Sequence, residues 1–120
     1  MNLLDTDTII KLLHERKHET AATSIITLIE VLRGLETKKR PKVKGLLEES
    51  FHVLNLDNQA VETYCNMYRK LKKKGKSIHD ADLLIAATAV SHDMTLKTRD
   101  KHFKILKEFG LKLAQTTKKH

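Results

Sequence analysis

Apolar and polar positions follow two rhythms along this chain, and the rhythms take turns. Short apolar runs at 2–4, 21–24, 51–56, 94–98 and 111–114 have the length of strands. Between them, apolar residues recur at three- and four-residue spacing, the period of a helix. Ile9, Ile10, Leu12 and Leu13 mark the first helix. Ser24 or Thr27 can cap a second over 25–35, with Ile25, Leu28, Ile29 and Leu32 as its apolar face and a stop near Gly34. A third covers 38–50, with Pro41 in its first turn and Val43, Leu46 and Leu47 facing inward. Asp57 caps a long fourth helix whose core face is Val61, Tyr64, Tyr68 and Leu71, ended by Gly75. After a turn at His92-Asp93 and a strand, Asp100 caps a last helix through Phe103, Leu106 and Phe109, closed by Gly110.

The fifth helix is different. From Leu83 to Val90 it is apolar all the way round except for Thr88, so it reads as buried rather than amphipathic. Ser77 with Asp80 three residues on has the form of a capping box and puts the helix start near Ile78 or Asp80. Asp82 then falls in the first turns of a helix with almost no wet side. An ionised carboxylate there is costly unless something cationic meets it. The helix N-terminus contributes only about 0.3–1 kcal/mol. A metal ion and a plain helix cap both fit Asp82 at this point.

Strands that alternate with helices call for a parallel sheet covered on both faces. Ligands bind such sheets outside the carboxyl ends of the strands. Asp5 ends the first strand, Glu30 lies in the helix after the second, Asp82 begins the helix that leads into the fourth, and Asp100 lies just past the fourth. These carboxylates can therefore meet at one edge. Clustered carboxylates repel, and their pKa values rise unless a cation is present. Hard oxygen ligands suit Mg²⁺ or Mn²⁺ rather than zinc. A divalent ion held this way can activate water and stabilise charge on a phosphodiester.

Composition narrows the picture. The 120 residues make one domain, expected over 1–114, with a short basic tail at 115–120. Lys and Arg number 23 against 15 Asp and Glu, a net charge of +8. That balance points to a polyanion, nucleic acid first, although a Lys-rich surface also occurs for solubility alone. Added to the carboxylates, it reads as a metal-dependent nuclease. Cys65 is alone, which excludes an internal disulfide and fits a reducing cytoplasm; it is expected as a small core residue. No Cys/His set has zinc spacing, and His79, His92 and His102 read as surface or cap residues. Asp57 and Asp93 read as cap and turn residues. Lys72-Lys73-Lys74 suits the end of its helix dipole and could also touch RNA phosphates. Neither a signal peptide nor an apolar run of membrane-spanning length is visible.

Four segments carry a resemblance: Leu3-Leu4-Asp5-Thr6-Asp7, Ile29-Glu30-Val31-Leu32-Arg33-Gly34, Asp80-Ala81-Asp82-Leu83-Leu84-Ile85-Ala86-Ala87, and Thr98-Arg99-Asp100-Lys101-His102-Phe103. In order and at this spacing they resemble the motifs of a PIN domain, above all the VapC toxins of type II toxin–antitoxin systems. The resemblance covers essentially the whole chain. It implies a PIN-like three-layer α/β/α sandwich with a central parallel sheet of four or five strands. It also implies Mg²⁺-dependent ribonuclease activity (Mn²⁺ able to substitute), an RNA substrate, a cognate antitoxin protein, and the homodimer usual for such toxins. Asp5, Glu30, Asp82 and Asp100 take the acidic positions, with Asp5, Asp82 and Asp100 as metal ligands; Asp7, Asp80 and Thr98 match supporting positions. Asp7 stands where the family often has a smaller polar residue. By pattern alone Glu30 points away from its helix's apolar face with Thr27 and Arg33, as a solvated stripe would, so only the resemblance makes it functional.

Two rivals use the same alternation of strands and helices. A phosphoacceptor receiver domain would use Asp57 after Val53-Leu54-Asn55-Leu56, but it expects a Lys-Pro after its last strand, and the one proline is Pro41. A catalytically silent PIN-like module that binds nucleic acid or protein is the alternative within the same fold.

Overall fold

A computed structural model describes residues 1–115. The chain runs β1 (Asn2–Leu4), α1 (Thr6–Glu15), β2 (Ala22–Ser24), α2 (Ile25–Arg33), α3 (Arg40–Ser50), β3 (His52–Leu54), α4 (Asn58–Lys73), α5 (Asp80–Ser91), β4 (Thr95–Thr98), a 3-10 helix (Lys101–Phe109) and β5 (Lys112–Gln115). The strands form one parallel sheet in the order β3-β2-β1-β4-β5. The expected three-layer parallel α/β fold is therefore present, with five strands. The last strand reaches Gln115, one residue into the stretch expected as a tail; residues 116–120 lie outside the described residues.

Alternation along β1 divides the core. Leu3 turns to one face of the sheet, where it joins Met67 of α4, Leu83 and Ile85 of α5, Leu96 of β4 and Phe103 of the 3-10 helix. Leu4 turns to the other, with Ile9 of α1, Leu28 of α2 and Leu47 of α3. α5 is buried as its unbroken apolar run requires, and the hydroxyl of its buried Thr88 donates to the carbonyl of Leu84 at 2.8 Å, so the helix carries no orphaned polar group.

Several local expectations change. α4 buries Ala60, Met67 and Leu71, whereas Val61 and Tyr68 are each 45 % exposed. The true stripe runs 60, 64, 67, 71; it keeps positions 64 and 71 of the expected stripe and replaces 61 and 68 by the residue before each. Pliant Met67 packs in one cluster with the apolar residues of α5, and small Ala60 is fully buried. Cys65 falls on the outer side of the same helix and is exposed rather than in the core. Leu46 of α3 is likewise exposed, and Leu47 alone of that helix is fully buried. In α2 Ile29 is 53 % exposed while Thr27 is fully buried. The capping box at Ser77 does not form: His79 precedes the first turn of α5 without a side-chain cap bond, and helix α5 begins at Asp80. The last helix is 3-10 throughout. Its apolar residues Phe103, Leu106 and Phe109 stand three apart, so they eclipse along one edge of a helix with three residues per turn.

Candidate active site

β1 and β4 are neighbours, yet the chain leaves β1 toward β2 and β3 on one side and reaches β5 on the other. The carboxyl ends of β1 and β4 thus form the point where the winding reverses, and a crevice opens there.

Asp5 stands at the end of β1 as the N-cap of α1 and is 5 % exposed. Its Oδ1 accepts from the Thr8 backbone N–H at 3.0 Å and the Thr8 hydroxyl at 2.5 Å, and its Oδ2 accepts from the Thr98 hydroxyl at 2.5 Å. The Thr98 oxygen in turn accepts from the backbone N–H of Asp100 at 3.0 Å. One hydroxyl therefore ties the carboxylate after β1 to the turn after β4.

Glu30 enters from α2. The Thr6 hydroxyl donates to its Oε1 at 2.6 Å, and Thr6 lies 3.0 Å from the Thr27 hydroxyl. Arg33, one turn on, pairs with Oε2 at 3.6 Å. The stripe Thr27, Glu30, Arg33 is solvated only at its far end: Thr27 is buried beside Thr6 of α1, Glu30 is mostly covered, and the exposed Arg33 stands with Glu30 at the crevice. The wet-looking side of α2 is a wall of the site, and its apolar Ile29 is turned to solvent.

Asp82 sits in the first turn of α5, half-buried. Burial first, then the charges of Glu30 and Asp100, push its carboxyl above the ordinary aspartate range, while His102 works in the opposite direction. His102 is exposed, as its polar setting in the sequence suggests, yet it stands among the acids. Its Nε2 lies 3.2 Å from Asp82 Oδ2, its Nδ1 pairs closely with Asp100 Oδ1, and its ring stacks on Phe103 at 4.9 Å. The ligand atoms of Asp82, Asp100 and His102 all lie within 4.8 Å of one another. The signal available in the sequence was position: His102 follows the capping Asp100 by two residues and precedes the buried Phe103.

Asp80 accepts from the Tyr64 hydroxyl at 2.6 Å, and that bond, ahead of burial, pushes the Tyr64 phenol up to about 12. Tyr64 thereby clasps α4 to the start of α5, a role that sequence reasoning missed, as it missed Thr6 and Thr8. Asp7 is exposed in the first turn of α1, at the same crevice. In all, a cleft of about 520 Å³ gathers Asp5, Asp7, Glu30, Asp80, Asp82 and Asp100, with Arg33 among its walls. Asp57 does cap α4, through the N–H of Ala60 at 2.8 Å, and Asp93 pairs with Lys112; neither lines the cleft. Lys74 pairs with Glu108, also away from it.

A half-desolvated carboxylate raised by its neighbours, beside a second carboxylate and an imidazole, is a donor set that fits a divalent cation. Such a cleft can hold an ion and place a phosphate next to it.

Comparison with known proteins agrees with this geometry. The family model described as "PIN domain" matches residues 3–108. Ribonuclease VapC1 of Methanocaldococcus jannaschii is 40 % identical over 115 residues, which span 92 % of this chain and 85 % of the relative. Toxin FitB of Neisseria gonorrhoeae is 30 % identical over 83 % of this chain and 88 % of the relative. The structure of VapBC-1 from nontypeable Haemophilus influenzae superposes with a TM-score of 0.78 at 25 % identity, over 95 % of this chain and 96 % of that one.

Proposed function

The chain belongs to the PIN-domain family and, within it, to the VapC ribonucleases, and from that premise we propose that it is a metal-dependent endoribonuclease, the toxin of a toxin–antitoxin pair. The observation that carries the reading is the convergence of Asp5, Glu30, Asp82 and Asp100, from four separate segments, on one cleft.

Asp5, Asp82 and Asp100 would hold the ion, Mg²⁺ with Mn²⁺ able to substitute, and Glu30 would complete the site. Once bound, the ion supplies positive charge for the developing phosphorane oxygens and a Lewis acid for the attacking water. The chain's own residues do the rest. Thr8 and Thr98 fix both oxygens of Asp5, so the carboxylate is oriented before any ligand arrives. Thr6 and Arg33 do the same for Glu30. Arg33 also brings a guanidinium to the cleft wall, where it can meet a phosphate oxygen of the substrate. Asp7, Asp80 and Thr98 support these groups. The net charge of +8 draws RNA to the surface without reading its sequence.

The natural inhibitor is the cognate antitoxin, which covers the acidic cleft and places a cationic side chain among the carboxylates. The toxin works as a homodimer in the cytoplasm, where its single exposed cysteine meets a reducing environment. No helix among the described residues is long and apolar enough to cross a membrane.

Incubation of the purified protein with single-stranded RNA tests the reading. Cleavage in Mg²⁺, its arrest by EDTA and its return with Mn²⁺ are expected. RNA left intact in both metals, or cut equally well in EDTA, overturns it.

A further inference from the structure

We propose that His102 is itself a ligand of the ion in this cleft, which makes the site a mixed oxygen–nitrogen one that holds Mn²⁺ more tightly than Mg²⁺. The inference rests on the metal-dependent reading above and deepens it.

Placement comes first. Threonines orient Asp5 and Glu30, and Asp5 Oδ2, with one bond from Thr98, keeps a lone pair for the ion. Asp82 and Asp100 instead face an imidazole, and the donor atoms of these three residues lie within 4.8 Å of one another. A cation taken up by Asp82 and Asp100 therefore finds a nitrogen in the same set.

The ring is also held from several sides. The His102 backbone N–H bonds to Asp100 Oδ1 at 3.1 Å, and the ring stacks on Phe103, which is itself 1 % exposed. Nδ1 is anchored on Asp100 while Nε2 faces Asp82. A histidine that binds a metal through one nitrogen commonly rests the other on a carboxylate, which fixes the tautomer and the ring plane. Asp100 takes that part through Oδ1 and leaves Oδ2 for the ion, with Nε2 as the ligating atom of His102.

Nitrogen changes what the site prefers. Mg²⁺ favours oxygen donors, whereas imidazole suits first-row transition ions. Between the two ions that an all-carboxylate site would treat alike, an imidazole favours Mn²⁺.

The test is Mn²⁺ binding by the whole chain, followed by electron paramagnetic resonance with Mg²⁺ as competitor, in wild type, His102→Ala and His102→Asp. Electron spin echo modulation reports nitrogen bound to the manganese. Wild type is expected to show nitrogen coupling, and His102→Ala to lose it. His102→Ala is also expected to loosen Mn²⁺ by about 10–100-fold, the scale of damage to a metal site's supporting groups, and Mg²⁺ by less. His102→Asp returns an oxygen donor, so it recovers binding without the nitrogen signal and with the preference moved toward Mg²⁺. A role confined to structure would not move that ratio. The His102 side chain is 42 % exposed, so the variants are expected to fold, as melting curves can verify. Mn²⁺ bound to wild type without nitrogen coupling, or an unchanged Mn²⁺-to-Mg²⁺ ratio in His102→Ala, overturns the inference and leaves the nuclease reading standing. Nitrogen-coupled Mn²⁺ in a protein that cuts no RNA does the reverse. A wild type with no saturable Mn²⁺ site overturns both.

Discussion

At the scale of single residues, Asp82 is where burial and charge oppose each other. Burial, Glu30 and Asp100 raise its pKa above the ordinary aspartate value of 3.8. Folding therefore disfavours its ionised form. That penalty is absent below the ordinary value, grows as pH rises through the raised one, and is complete at neutral pH. Asp82→Asn keeps the shape and removes the charge. In EDTA at neutral pH it is expected to melt higher than wild type, by about 4 °C for each kcal/mol relieved, and the gap should close as the pH falls toward 4. Mg²⁺ should then stabilise wild type more than the variant. A lower melting temperature for Asp82→Asn in EDTA, with Mg²⁺ acting equally on both proteins, would make Asp82 a structural residue. That Asp5, Asp82 and Asp100 share an edge was legible, because each lies at the carboxyl end of a strand or at a helix start beside one. Their partners were not. Thr98 stands in a motif of the family, but Thr6, Thr8 and His102 reach their carboxylates across 24, 3 and 20 residues of sequence, and with the Thr8 contact excepted no local pattern records such pairs.

At the scale of elements, helix ends were easier to read than helix faces. Gly75 ends α4 as expected and does so with φ +68°, its N–H bonding to Lys72 O at 3.1 Å and the Lys76 N–H to Leu71 O at 2.9 Å. The bonds are those of a Schellman motif, and they require the left-handed backbone. Gly45 lies inside α3 in ordinary helical backbone, with open space where a methyl group would stand. The same substitution should thus act in opposite directions at the two sites. Gly75→Ala is expected to lower stability by roughly 1–2 kcal/mol, the strain of a left-handed side-chain residue. Gly45→Ala is expected to raise it by roughly 0.5–1 kcal/mol through helix propensity. Urea unfolding of both variants checks the signs; a loss at Gly45 or a gain at Gly75 contradicts the backbone account. Faces failed for a different reason. In α2 and α4 single positions depart from the apolar stripe, and the choice at each depends on what lies opposite. In α4, Met67 packs with the α5 residues and Ala60 is buried, while Val61 and Tyr68 stay outside. Beside α1, Thr27 goes inward because Thr6 bonds it, and Ile29 is left outside.

At the scale of the whole molecule, the order of strands decides where chemistry can happen. A parallel sheet with order β3-β2-β1-β4-β5 reverses its winding between β1 and β4, so residues after those two strands meet whatever the surface composition. The parallel sheet and its carboxyl edge followed from strands alternating with helices; the strand order, and so the place of the reversal, did not. The basic surface and the acidic cleft then set the partners. Co-expression with a small neighbouring reading frame that encodes the antitoxin is expected to yield a stable complex that cuts no RNA. Recovery of free, active protein from that co-expression would contradict the proposed inhibition. The central claim is that the cleft acids, and not acidity in general, carry the cleavage. Asp5 lies in the cleft, whereas Asp93 is an exposed carboxylate paired with Lys112 outside it. The most direct measurement is therefore the rate of RNA cleavage in Mg²⁺ by Asp5→Asn beside Asp93→Asn, with circular dichroism to verify both folds. The account expects Asp5→Asn to be folded and inactive and Asp93→Asn to cut at the wild-type rate. Cleavage by folded Asp5→Asn at the wild-type rate would contradict it.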